Sequence, residues 1–469
     1  MISIVKNSMW LTLILITYLG VAATFAVYTP AWQAPDEPAH YNYVAQVAAN
    51  GCCPIIEGGD WDSEYLEQLK SNRFSPNMLE NLSQVQYEDH QPPLYYLMAA
   101  PIFRGTRGNL SALRLFSVFW GGVVVIGAYC LAQTLLPHRP WIAVGTAALV
   151  AFLPQNMHIT ASVNNDALAW AIIALTLWVA VIYLNGRTRW NLPGSARSLP
   201  LTWILGLLVG LGLLTKTTTY FLTAVVPLAI FLRWRGQYVA TEAANRTEAI
   251  RLLLQQWLQF LTPAVLLGSL WWLRNLRVYG VPDFLGLQAH ERVVVGQLRT
   301  ADYIAQVGWL DYLNNLVQTT FVSFWGQFGW MALPLSGRLL WVVVGLVVMA
   351  VSGWMIRLFI KGRHCERNQS EKWPIIWMLG LTFSLTLAAY IGYNLEFLQF
   401  QGRYLYAGLI PIALFLILGI ESWGRLGTRL IHIPQYRPYF CWLAISPVLL
   451  FPLLDIYILL SIIMPGLRP

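Results

Sequence analysis

The chain has 469 residues, 57% of them hydrophobic and only 11% charged, whereas soluble domains carry about 25% charged residues. That balance excludes a soluble globular enzyme. The net charge of +8 sits in short loops between apolar runs, a topological pattern rather than a nucleic-acid-binding one.

Apolar runs near the length that crosses roughly 30 Å of hydrocarbon predict eleven spans, at 8–28, 111–136, 140–157, 165–184, 201–215, 218–232, 253–273, 338–360, 373–393, 405–423 and 440–463. The chain thus reads as an all-α polytopic membrane protein, one transmembrane domain over 1–469. The first run has a Lys6 flank like a signal peptide, but it is too long and many spans follow, so it is an anchor. The 22 Trp and 22 Tyr suit aromatic belts at the two interfaces. With the N-terminus inside, Arg139, Arg187, Arg189, Arg197, Arg233, Arg235, Arg246, Arg251, Lys361, Arg363, Arg367, Lys372, Arg425, Arg429 and Arg437 all fall in cytoplasmic loops, as the positive-inside rule requires. The outer side then receives two long segments, 29–110 and 274–337, and short turns near 158–165, 216–217 and 394–404.

Within the first outer segment, Pro38 and Asn50-Gly51 bound a helix over 38–49, with Tyr41, Val44, Ala45 and Ala48 on one face, as in a helix lying along the interface. Residues 93–103 are apolar but too short to cross and predict a second interfacial helix. Cys52 and Cys53 are adjacent and read as two thiols or one unusual redox pair; the five Cys have no metal-ligand spacing.

Removing the basic residues explained by topology leaves Asp36, Glu37, His40, His90, Gln91, Asn164, Asn165, Asp166, Lys216, Arg274, Arg277, Gln401 and Arg403 on the outer side. Ionisable groups near membrane depth are costly and mark a site or a partner, so one outward-facing cavity is expected. Asp36, at a helix start, is suited to act as a general base; Asp36 or Glu37 could equally cap the helix, and Asp166 could cap the span it opens. Lys216 lies in an outer turn against the positive-inside trend. A lipid phosphate is the anion expected there, with a snorkelling lysine as the alternative. His90 could ligate a metal beside a carboxylate or orient a phosphate, but one His with scattered acids is a weak metal signature. No metal ligand is assigned; a divalent cation is possible and no other cofactor is expected. No Gly-rich phosphate loop, Cys/His zinc spacing or Ser-His-Asp arrangement stands out.

Pro-Asp-Glu-Pro-Ala-His-Tyr (35–41), His-Gln-Pro-Pro-Leu-Tyr-Tyr (90–96), Ser-Val-Asn-Asn-Asp-Ala-Leu-Ala (162–169), the Leu-Thr-Lys turn ending at Lys216, Ser-Phe-Trp-Gly-Gln-Phe-Gly-Trp-Met (323–331) and Gln-Gly-Arg-Tyr-Leu-Tyr (401–406) together resemble the GT-C glycosyltransferase superfamily. The nearest groups are the protein O-mannosyltransferases, the lipid A aminoarabinose transferases and an adjacent group of bacterial membrane proteins. The resemblance implies a polyprenyl-phosphate sugar donor and inverting transfer to an envelope lipid, glycan or protein at the extracytoplasmic face of a bacterial inner membrane. It makes Asp36 the base, Glu37 and Asp166 further acids of the site, and Lys216 the phosphate contact. His40, His90, Gln91, Asn165, Arg274, Arg277, Gln401 and Arg403 become substrate-binding residues. His90-Gln91 stands where aminoarabinose transferases have Glu-Lys, which removes an acid and a cation. No soluble domain follows the last span, so peptide-sequon recognition is not expected. A flippase of lipid-linked intermediates is the alternative. It predicts discontinuous helices and polar residues at the midplane, whereas 140–157, 338–360 and 440–463 are almost wholly apolar, Asp455 excepted. A non-catalytic envelope scaffold is the third reading.

Overall fold

A computed structural model describes residues 2–191, 198–238, 246–360 and 372–469. In chain order the helices are α1 (Ile2–Tyr28), α2 (Glu37–Asn50), α3 (Ser63–Ser71), α4 (Leu94–Thr106), α5 (Leu110–Leu135), α6 (Pro140–Ala151), α7 (Pro154–Thr160), α8 (Asp166–Leu184), α9 (Leu201–Leu213), α10 (Leu222–Tyr238), α11 (Arg246–Val278), α12 (Leu287–Val293), α13 (Thr300–Val307), α14 (Trp309–Trp325), α15 (Gly337–Ile360), α16 (Trp373–Glu396), α17 (Leu409–Leu430), α18 (Arg437–Leu449), α19 (Phe451–Ile458) and α20 (Met464–Leu467). Two short hairpins, 189–191 with 198–200 and 327–328 with 333–334, are the only sheets among the described residues.

Nine helices among the described residues are long and apolar enough to cross a membrane, or ten if one bent pair is a single span. The chain is a multi-pass membrane protein. Two of the eleven expected spans differ. The run at 140–157 is not continuous: α6 and α7 meet at an angle of 60°, because Pro154 lacks an N–H and pushes Leu153 into extended backbone (φ −71°, ψ 116°). The run at 201–215 forms only the 13 residues of α9, about 20 Å of helix against roughly 30 Å of hydrocarbon. The basic positions Arg197, Lys361, Arg363 and Arg367 lie outside the described residues.

Span α8 is central, packed on α5, α9 and α10, while α15 crosses α17. That crossing is a backbone contact: a Cβ on Gly353 would lie 1.9 Å from the Gly419 carbonyl oxygen, so only small residues fit. The two long outer segments pack together rather than hanging free. Ala39, Ile56, Leu66, Leu69, Phe74, Leu82, Val85 and Tyr87 share a core with Ala289 and Val294. Helix α2 is held within the protein on more than one face. Its Glu37, His40, Tyr43, Val44, Val47 and Ala48 are buried, against α4 and α5 through Tyr95, Tyr96, Ala99, Ala100 and Leu113, and Tyr41 and Ala45 are only half-buried. Helix α4 keeps Leu97 and Met98 exposed, as an interfacial helix does. Cys52 and Cys53 are joined as a disulfide.

Candidate active site

The end of α1, the start of α2, the start of α8, the turn after α9 and the turn before α17 meet at one end of the bundle. Asp36 occupies the position before α2 in left-handed backbone (φ 67°), and its side chain makes no capping bond. The carboxylate turns inward instead. Arg403 donates from Nη2 to Oδ2 at 2.5 Å, and the Tyr87 hydroxyl donates to Oδ1 at 2.9 Å. Burial alone would raise the Asp36 pKa; the charge of Arg403, helped by both hydrogen bonds, outweighs it and holds the carboxyl below its usual range. Gln401 fixes Arg403 in turn, its Oε1 accepting from Nε at 2.7 Å. The Arg403 Nη1 is buried and unpartnered.

The second ion pair joins Asp166, at the start of α8, to Lys216 in the turn after α9, Nζ to Oδ1 at 2.8 Å. The Lys216 side chain is 14% exposed. The snorkelling reading of Lys216 therefore does not hold: the side chain turns inward onto the Asp166 carboxylate. The capping group at α8 is Asn164, whose Oδ1 accepts from the Asp166 N–H at 2.8 Å.

His40 lies between the pairs, fully buried. Its Nδ1 is 2.8 Å from the Tyr96 hydroxyl, which also accepts from Asn165 Nδ2 at 3.2 Å. Burial, reinforced by the charge of Lys216 and offset in part by Asp36 and Asp166, pushes the imidazole down to about 3, so His40 is neutral at physiological pH. Its Nε2 has no partner, nor has Asn165 Oδ1. Buried polar atoms are nearly always hydrogen-bonded, and these exceptions lie beside the two ion pairs.

Glu37 does not join this group. Its carboxylate is clamped by Arg114, Nη2 to Oε2 at 2.6 Å and Nε to Oε1 at 2.7 Å, and also accepts from the N–H groups of Trp32 and Val163. Arg114 further donates to the carbonyls of Ala26, Thr29 and Pro30. The pair is a buried splice between α5 and the end of α1, and Glu37 has no free valence for catalysis. Arg274 is likewise committed, donating to the carbonyls of Cys53 and Pro54 and to Asn275 Oδ1, so it ties the first outer segment to α11. Arg277 is exposed and takes no part in either ion pair.

His90 and Gln91 are buried beside the site. His90 Nδ1 lies 3.1 Å from the Tyr87 carbonyl, and its ring packs 4.2 Å from His290 of the second outer segment. The neighbouring acids were not singled out from the sequence. Glu88 is pushed up to about 7 by burial and then by the charge of Asp36, and Asp89 to about 8, mainly by burial. Arg114 was also missed, although an arginine inside an apolar span is itself a signal. No three His, Cys, Asp or Glu among the described residues gather to hold a metal ion; the two carboxylates nearest the centre carry basic partners instead.

Residues 90–255 match the family described as dolichyl-phosphate-mannose-protein mannosyltransferase. The structure aligns with the apo oligosaccharyltransferase of Archaeoglobus fulgidus at TM-score 0.51 and 14% identity, covering 96% of this chain and 55% of that one. It also aligns with apo ArnT of Cupriavidus metallidurans at TM-score 0.50 and 14% identity, covering 98% of this chain and 74% of that one. The fold is the GT-C fold. The chain spans about half the length of the oligosaccharyltransferase, and no functionally curated protein matches it. On the GT-C frame, Asp36 and Asp166 stand where the first outer segment meets the bundle, and the 90–255 match takes in Asp166 and Lys216 but neither Asp36 nor Arg403.

Proposed function

We propose that the protein is a glycosyltransferase that moves a sugar from a polyprenyl-phosphate donor to an envelope acceptor at the extracytoplasmic face, by a single inverting displacement. The observation that carries this reading is the two part-buried ion pairs, Asp36–Arg403 and Asp166–Lys216, flanking a neutral His40. The family that residues 90–255 match is named for a lipid-phosphate sugar donor, which supports the same reading.

Neither ion pair has to break for a phosphate to bind. Arg403 spends Nη2 on Asp36 and Nε on Gln401 and keeps Nη1; Lys216 spends one of its three N–H bonds on Asp166. Asp36 is ionised at neutral pH. Its proton affinity is low in the resting site, but the acceptor O–H (or N–H) acidifies as its lone pair bonds to the anomeric carbon, so transfer to Asp36 becomes favourable late in the step. The acceptor loses its proton to Asp36, and the bond from the anomeric carbon to the phosphate oxygen breaks. Its electron pair then passes to a phosphate held by Arg403 and Lys216, which stabilise charge that grows in the transition state.

The break between α6 and α7, lined by buried Gln155, Asn156 and His158, is the feature that favours a flippase. One experiment separates the two. The full-length protein in liposomes is given polyprenyl-phospho-hexose donors with an envelope extract, and free polyprenyl phosphate is measured. A transferase releases it and Asp36→Asn does not; a flippase moves the donor between leaflets without consuming it.

A further inference from the structure

The second outer segment contains α14, a 17-residue helix whose C-terminal end is buried and whose earlier turns present an apolar and a polar face. Tyr312, Ser323, Phe324 and Trp325 are buried. Asp311, Asn314 and Gln318 are exposed and polar. On the apolar face Trp309, Leu310, Leu313 and Val317 are 59, 84, 47 and 68% exposed, and at 3.6 residues per turn they fall within an arc of about 100°. Four large apolar side chains in one exposed stripe need a partner.

The depth of this stripe is set by hydrogen bonds. Tyr312 donates to the Asn394 carbonyl at 2.9 Å, and Thr320 Oγ1 is bonded to the Tyr390 hydroxyl. Both partners lie in the last turns of α16, a candidate span running Trp373–Glu396. Helix α14 is therefore tied to the last turns of a candidate span, the end at which a spanning α16 would leave the hydrocarbon. Near the same end of α16, Ile391 and Leu395 are also apolar and exposed on one face. The α14 stripe begins with a Trp, the residue that favours the membrane–water boundary.

We propose that α14 is embedded by its Trp309–Leu310–Leu313–Val317 face in the outer leaflet, and that the lipid surface is its partner. The consequence reaches the active site. At the far end of α14, Ser323 Oγ accepts from the Gly402 N–H at 2.8 Å, and the Phe324 carbonyl accepts from the Tyr406 hydroxyl. These bonds hold the turn that presents Arg403. A helix bound to lipid thus sets the height of Arg403 above the bilayer. The inference rests on the membrane placement of α16 and is independent of which donor or acceptor the protein uses.

Single-cysteine variants Leu310→Cys, Leu313→Cys, Val317→Cys, Asp311→Cys, Asn314→Cys and Gln318→Cys, in a full-length background with Ser at Cys130, Cys365 and Cys441, are labelled with an environment-sensitive fluorophore and reconstituted in phosphatidylethanolamine–phosphatidylglycerol liposomes. Quenching by nitroxide carried on the lipid chains should be roughly twofold or more stronger at 310, 313 and 317 than at 311, 314 and 318. Equal quenching at all six positions, or a stripe reached only by a water-soluble quencher, overturns the proposal. A stripe shielded from both quenchers also overturns it and assigns the face to a protein partner, which the particle mass would reveal. Outside labelling of a cysteine placed in 60–85 tests the membrane placement separately, so a failure of that placement is told apart from a failure of α14 alone.

Discussion

At the scale of single residues, the proposed chemistry turns on Asp36. Asp36→Asn keeps a partner for Tyr87 and Arg403 but cannot accept a proton, so transfer should fall by about 10²-fold or more with donor binding retained. Turnover and donor saturation, measured together, check this; wild-type turnover in Asp36→Asn removes Asp36 from the role. Lys216→Ala should lower donor affinity roughly ten- to a hundred-fold, the worth of a charge-assisted contact. Because the same change strands Asp166, it should also lower stability by about 3 kcal/mol. The Lys216→Ala, Asp166→Ala double variant should regain stability and not donor affinity, which thermal unfolding and donor titration read separately. Glu88 and Asp89 bind protons more readily folded than unfolded, with folded values of about 7 and about 8. Their protonated forms are favoured in the fold, so stability is greatest below the ordinary carboxylate range and falls as pH rises through 7 to 8. The unfolding temperature should drop by a few degrees from pH 6 to pH 8.5, and Glu88→Gln should flatten that slope. An unchanged slope in Glu88→Gln places the titration elsewhere. Asp36, His40, Asp166, Lys216 and Arg403 were legible because each is a polar residue in a place where topology gives it no reason to be. Glu37 was equally conspicuous and proved structural, since nothing in an Asp-Glu pair reveals that Arg114, 77 positions away, closes on one member.

At the scale of elements, the turn before α17 depends on how closely two backbones approach. A Cβ on Gly402 would lie 2.4 Å from both the Phe324 nitrogen and the Thr320 carbonyl oxygen. Gly402→Ala must push that turn off α14 and draw Arg403 away from Asp36. The expected result is a loss of activity comparable with Asp36→Asn, with a smaller loss of stability, about 1–3 kcal/mol, as for overpacking elsewhere. Wild-type activity in Gly402→Ala shows that the turn can relax without moving the arginine. Spans were the easiest elements to read, because hydrocarbon thickness sets their length. The breaks were harder. Pro154 was visible in the run 140–157, but whether a proline kinks a span or separates two helices depends on what packs into the gap.

At the scale of the whole molecule, the two ends of the bundle have opposite characters. Arg403 precedes α17 in the active site, while near the other end of α17 the buried Glu421 gathers Arg425 at 2.9 Å, Arg139 at 3.7 Å and Arg357 at 4.0 Å. Arg139 and Arg425 are among the residues that positive-inside reasoning assigns to the cytoplasm, and they stand at the end opposite the proposed site. A cysteine placed in 60–85 should therefore react with an impermeant reagent from outside, and one placed in 361–372 only after permeabilisation. The reverse pattern would place the ion pairs on the cytoplasmic side and end the extracytoplasmic reading. The amino-acid sequence by itself determined the class of molecule, the course of most spans and the short roll of polar residues that topology leaves over. These follow from burial of apolar length and from the placement of charge, and both are written locally in the chain. Only the tertiary structure decided which of those charges are partners. Arg403 meets Asp36 across 367 positions and Lys216 meets Asp166 across a bundle contact. Pairing depends on how helices cross, and no stretch of the chain encodes that alone.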